Sequence, residues 1–273
     1  MGPHRVGLVT SMSTGGGDTD TDERTRTVAL VELVVADPPE AWTAAGFTVE
    51  DERVAIGETT VWLTGRGDGS GPAGIVRWTL AGIDFDGGEL DGLATTVGRP
   101  ADKPAPTDTA EHPNGCIGLD HVVVSTPDLE RTIEAFEAVG MECRRIRETS
   151  SYGAPMRQAF FRMGSTILEV VSGDTGSGQP AEEAPSTWFG LAVDVDDLDV
   201  TGALLGDGIG SIRTAVQPGR RIATFRHAAL GLSVPVAVMD RRAEGQTGAR
   251  AEGRADHERR HVSEDHGGDQ TGR

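Results

Sequence analysis

The chain of 273 residues has one lysine, Lys103, one tyrosine, Tyr152, and two cysteines, Cys116 and Cys143. The cysteines have no C-x-x-C spacing, which excludes a thioredoxin-like redox motif or a zinc ribbon and leaves a reduced, cytoplasmic setting as the simpler expectation. No apolar run approaches the ~18–20 residues needed to cross a bilayer, so no membrane partner is expected. Positive charge is scarce as well. Aspartate and glutamate total 43 against 25 lysine and arginine, for a net charge of −18. That balance argues against nucleic acid, whose phosphates call for a basic surface. The glycine-rich stretch 65–74 has neither the lysine nor the strand-to-helix setting of a P-loop, and no dinucleotide fingerprint or Ser/His/Asp order appears. Residues 1–27 and 240–273 lack the apolar groups needed to offset ordering entropy and are expected to be disordered tails.

What is present is an internal repeat. Residues 119–125 are β-branched and bounded by Pro127, which reads as a strand. Ser125 or Thr126 is placed to cap a following helix, with Pro127 in its first turn. Leu129, Ile133, Phe136 and Val139 give that helix an apolar face, and Gly140 ends it. Strands are expected at 141–147, 158–163 and 166–171, with Gly164-Ser165 turning between the last two. The order βαβββ recurs at 187–193 (strand), Asp196-Asp197 with Leu198 (capped helix), then strands at 209–214, 221–226 and 232–238. A weaker copy opens the chain: a strand at 28–36, a short helix to Ala45, Gly46, and two or three strands up to Leu63. Overlaying Pro38 on Pro127 puts Glu32 on His121, and overlaying Gly57 on Gly164 puts Trp62 on Glu169. A truncated fourth copy begins at 74–83, with a helix expected at 88–93 and Trp78 at the position of Gly190. The expected organisation is a degenerate domain at 28–97, a Pro-rich linker at 98–116 and a complete domain at 117–239.

The run Leu119-Asp120-His121-Val122, the helix ending at Gly140, the strand Leu168-Glu169-Val170 and the segment Val195-Asp196-Asp197-Leu198 together resemble the vicinal-oxygen-chelate superfamily, the glyoxalase, bleomycin-resistance and extradiol-dioxygenase-like proteins. The resemblance covers 117–239 well and 28–97 loosely. It implies an α+β fold of βαβββ modules whose sheets curl into half-open cups, and a divalent metal held by two inward ligands from each module. His121 and Glu169 match the first two ligand positions. Gly190 and Pro235 stand at the other two, and neither has a ligating side chain. Asp194 and His227 are the nearest substitutes.

Two functions follow from the resemblance. One is a protein that binds a small organic molecule in the cup, with a degenerate metal site and no cofactor. The alternative is a metal-dependent enzyme of glyoxalase, epimerase or dioxygenase type that uses His121 and Glu169 as catalytic residues or as metal ligands. In either case His121 and Glu169 are expected to be neighbours able to move protons. Tyr152, Arg157 and Gly190 are the expected substrate contacts, with Tyr152 in the loop 149–156. Glu169 inside an apolar strand needs a partner, for which Arg157, Arg162 and His121 are the candidates. Modules that pair between chains would give a homodimer; pairing within the chain satisfies the resemblance equally.

Overall fold

The repeats fold into two mixed sheets in a computed structural model that describes residues 27–66, 71, 73–99, 111–150, 155–173 and 184–241. The first sheet contains β1 (Ala29–Val35), β2 (Arg53–Ile56), β3 (Thr59–Leu63), β4 (Ile75–Ala81), β5 (Gly88–Leu90) and β6 (Leu93–Gly98), in the order β2-β3-β1-β4-β6-β5. Helix α1 (Pro39–Ala44) joins β1 to β2. The second sheet contains β7 (Cys116–Ser125), β8 (Cys143–Thr149), β9 (Met156–Met163), β10 (Thr166–Gly173), β11 (Thr187–Val195), β12 (Arg213–Thr214), β13 (Arg221–Thr224) and β14 (Val236–Asp240). Its order is β12-β13-β14-β11-β7-β10-β9-β8. Helices α2 (Leu129–Ala138) and α3 (Leu198–Leu205) follow β7 and β11, and the single turn α4 (His227–Leu230) lies between β13 and β14. The fold is therefore α+β, as the sequence indicates; the second sheet is two βαβββ modules and the first is βαββ followed by βββ.

Both sheets have the same plan. Each is centred on an antiparallel pair, β1 with β4 and β7 with β11, and each central strand is flanked by a parallel partner, β3, β6, β10 or β14. The two irregularities of the first pair recur in the second, which has a third at Ile117. The β1–β4 register skips Val31 and Val76, and the β7–β11 register skips Asp120 and Phe189. Such bulges turn a side chain away from strict alternation. The second sheet has a further edge strand in each half, β8 and β12, that the first sheet lacks.

Three expectations are corrected. Residues 88–93 form a hairpin, because Asp91-Gly92 takes positive φ at both residues, 49° and 86°. This is the two-residue turn whose twist suits a hairpin and which an Asp-Gly pair favours. The α2 cap is Asp128, whose carboxylate accepts from the Arg131 N–H; Thr126 instead accepts from the Asp128 N–H and bonds Thr132. Pro127 thus precedes the helix. Finally, Leu33 pairs with Trp78 and Val34 with Arg77, so it is Arg77 that matches Gly190, which pairs with Val123. The one-residue slip turns Trp78 to the opposite face. There it is fully buried, edge-on to Trp188 at 4.9 Å and close to Phe136 at 6.1 Å.

One apolar core runs through both sheets. Phe47 after α1 meets Phe225, and Asp37 accepts from the Trp42 indole and from the Ser233 N–H. The expected linker is described only in part. Its last residues are docked: His112 Nε2 lies 2.8 Å from the Ala55 carbonyl, and Nδ1 accepts from the Thr48 N–H. Asn114 is completely buried and bonds Ala45 and Cys116.

Candidate functional site

The site is built on the two central strands of the second sheet and their neighbour β10. His121 is opposite Ile167 and Ala192, and Val123 is opposite Glu169 and Gly190. Registered neighbours share a face, so His121 and Glu169 project from the same side of the sheet. Their side chains meet, with His121 Nε2 3.8 Å from Glu169 Oε2, and are 15% and 16% exposed. The other face of these strands carries Val122, Val124, Leu168 and Val170, all fully buried in the core.

Each partner has a second contact. The Gln158 amide on β9 donates to Glu169 Oε1 at 2.6 Å, and Gln158 Oε1 is buried without a hydrogen-bond partner. Burial pushes the Glu169 carboxyl above the ordinary range; the nearby His121 and Arg147 charges and the Gln158 bond oppose the rise, and Asp120 adds to it. On the other side, His121 Nδ1 lies 2.6 Å from Asp120 Oδ2. Adjacent residues of a regular strand point to opposite faces. The bulge at Asp120 lets its carboxylate reach the neighbouring imidazole. Asp120 is completed by Arg220, whose guanidinium donates to Asp120 Oδ1 at 2.9 Å, to Asp194 Oδ1 and to the Asp240 carbonyl.

The remaining ligand positions are less open than the sequence suggests. His121 and Gly190 each stand seven residues ahead of a helix cap, Asp128 and Asp197, so the Gly190 match holds. A β-carbon at Gly190 would come within 2.6 Å of the Pro235 carbonyl oxygen, which accepts the Leu191 N–H. The fourth position moves. Leu191 pairs with Val236 as Val122 pairs with Leu168, so the residue equivalent to Glu169 is Ala237, not Pro235. Pro235 precedes β14, where its missing N–H leaves the strand ladder intact. Among the described residues no three His, Cys, Asp or Glu side chains are grouped to hold a metal ion. Asp194 is tied to Arg220, and His227 begins the turn that packs on α1. A catalytic metal normally keeps three protein ligands, and two do not fit that requirement.

The other expected contacts are not brought together here. Arg157 alternates away from Gln158 and pairs with Glu130 of α2. It lines a surface depression of about 640 Å³ with Glu148, Thr149, Ser150, Pro155, Met156 and Ser172. Tyr152 lies outside the described residues. Gly190 is buried against Pro235. Arg162 is exposed and bonds the Gly164 carbonyl, which leaves His121 as the partner of Glu169 among the three expected. Sequence reasoning missed Gln158 and Asp120 as parts of the site. Asp120 sits beside His121 in the quoted motif, but only the bulge makes that adjacency useful. Arg220 comes from 100 residues away with no motif of its own. Neither cysteine takes part; burial raises the Cys116 thiol to about 12.

The first sheet fills the same positions differently. Glu32 pairs with Thr60 and Val34 with Trp62, which confirms the overlay of Glu32 on His121 and Trp62 on Glu169. Glu32 accepts from the Trp62 indole at 3.0 Å and from Thr79 at 2.9 Å, and the Arg53 guanidinium lies over the Trp62 ring. Both carboxylate oxygens are satisfied within the sheet.

No family model and no curated protein matches the sequence. Solved structures do match. A triple mutant of 4-hydroxymandelate synthase from Streptomyces coelicolor aligns with a TM-score of 0.54 at 18% identity, over 82% of this chain and 94% of that one. A xylose isomerase-like TIM barrel/4-hydroxyphenylpyruvate dioxygenase fusion protein aligns with a TM-score of 0.54 at 12% identity, over 84% of this chain and 50% of that one. Methylmalonyl-CoA epimerase from Mycobacterium tuberculosis aligns with half of the chain, 50%, and 93% of its own length, at 20% identity and a TM-score of 0.38. The two longer alignments place the chain in the vicinal-oxygen-chelate fold with both sheets included.

Proposed function

We propose that the second sheet binds a small organic molecule on the face bearing His121 and Glu169, without a resident catalytic metal. The observation that carries this is the contact between Gly190 and Pro235. One ligand position is pressed against backbone and its partner position is alanine, so half of the donor set has no side chain to supply. What remains is a largely buried polar pair, reached from a face otherwise offering Val123, Phe160, Ile167, Val171 and Ala237. Apolar walls with a few convergent polar groups suit an organic ligand.

A second reading is an enzyme that moves a proton through this pair. The raised Glu169 carboxyl and the Asp120 contact on His121 favour it, since acid–base work needs a group shifted toward neutrality and an oriented partner.

The test is metal content and ligand-induced thermal shift on the full chain, with His121→Ala and Glu169→Ala beside the parent. We expect no difference in bound metal among the three, and organic ligands that stabilise the parent alone. Near-stoichiometric metal lost in both variants would overturn the proposal. Turnover of a stabilising ligand would select the second reading.

A further inference from the structure

The Asp120–Arg220 pair lies behind the proposed site and does not touch its open face. Arg220 is 3% exposed and Asp120 is 3% exposed. A buried ion pair costs desolvation of both groups, and its net contribution to stability is small. Here it is tied to one end of the imidazole. Arg220 Nη1 occupies Asp120 Oδ1, while Asp194 and the Asp240 carbonyl hold the rest of the guanidinium. The other oxygen, Asp120 Oδ2, is 2.6 Å from His121 Nδ1. A carboxylate held ionised by an arginine accepts and does not donate, so Nδ1 must carry the hydrogen in that bond. In the neutral ring this leaves Nε2 as a bare acceptor, turned toward Glu169.

We propose that Arg220 and Asp120 are positioning residues for the site: together they fix His121 as the Nδ1–H tautomer and present Nε2 to the ligand. The inference rests on the proposed function for its importance, but the tautomer exists without any ligand. It also names the ligand chemistry. A bare Nε2 is an acceptor, so the ligand group that meets it is a hydrogen-bond donor, a hydroxyl or an N–H.

The experiment is a long-range proton–nitrogen spectrum of the full chain with labelled histidine at pH 8, above the range of an ordinary imidazole. His121 is assigned from the signal lost in His121→Gln. In the parent we expect Nδ1 in the protonated range and Nε2 in the unprotonated range. In Arg220→Gln and Asp120→Asn we expect Nε2 to move toward the protonated range. Arg220→Lys, which keeps the charge but not the fork, is expected to fall between them and covers the case in which Arg220→Gln does not fold. A parent spectrum with Nε2 protonated, or a folded variant with the parent tautomer, would overturn the inference. A purely structural role would lower stability and leave the tautomer unchanged. Failure of a ligand screen with the expected tautomer would count against the proposed function alone.

Discussion

Glu169 shows how a single residue links stability to pH. Its carboxyl is raised above the ordinary value, chiefly by burial. A raised acid binds its proton more tightly folded than unfolded, so its favourable contribution is complete below the unfolded value of ~4.3 and is lost as pH rises through the folded value. Glu169→Gln is therefore expected to gain stability over the parent at pH 7 and to lose that advantage below about pH 4. Urea unfolding at both pH values reads it, and a gain that persists in acid would contradict the assignment. Gly190 makes a steric prediction. A methyl group there meets the Pro235 carbonyl at 2.6 Å. Gly190→Ala should cost about 1–3 kcal/mol, as overpacking does, and should show as a lower urea midpoint.

At the scale of elements, type and order were legible wherever local chemistry dominates, while bounds moved: the strand expected at 209–214 is only Arg213–Thr214, and the one expected at 232–238 is Val236–Asp240. The paired modules, the Gly140 stop, the Gly164-Ser165 turn and the Asp197 cap all follow from residue type and period. The helix expected at 88–93 is a hairpin because the Asp91-Gly92 pair adopts turn geometry, which outweighs the repeat pattern. That turn also reaches the second sheet. The Asp91 carboxylate accepts from Thr132, from Ser186 and from Arg131 of α2. Asp91→Ala would leave these donors without their acceptor, at a cost of roughly 2–3 kcal/mol. The expected result is a lower midpoint for the whole chain, not for the first sheet alone.

The whole molecule is expected to unfold as one unit, because the core is shared. Three tryptophans, Trp42, Trp62 and Trp78, lie in the first half, and Trp188 lies in the second sheet. Tryptophan fluorescence and far-ultraviolet dichroism should give coincident transitions; two separated transitions would show independent domains. Acid should weaken the join. Burial lowers the His112 value, against the pull of its bond to the Ala55 carbonyl. A lowered histidine contributes stability above the unfolded value of ~6.5 and loses it as pH falls toward the folded value. His112→Gln should flatten the decline of the parent between about pH 7 and 5. Protonation also forbids the bond that Nδ1 accepts from Thr48, which gives the same sign.

By itself the sequence determined the modules, their order and the pair His121–Glu169, because periodicity, caps and turns are properties of short segments. Tertiary structure decided what surrounds that pair. Register placed Ala237, not Pro235, at the position equivalent to Glu169, and turned Trp78 into the core. A bulge brought Asp120 to its neighbour's ring, and the position just before β13, 100 residues away, supplied Arg220. The physical reason is common to all of these. A one-residue change in pairing reverses the face of every side chain that follows, and pairing between distant strands is settled by the packing of the whole sheet.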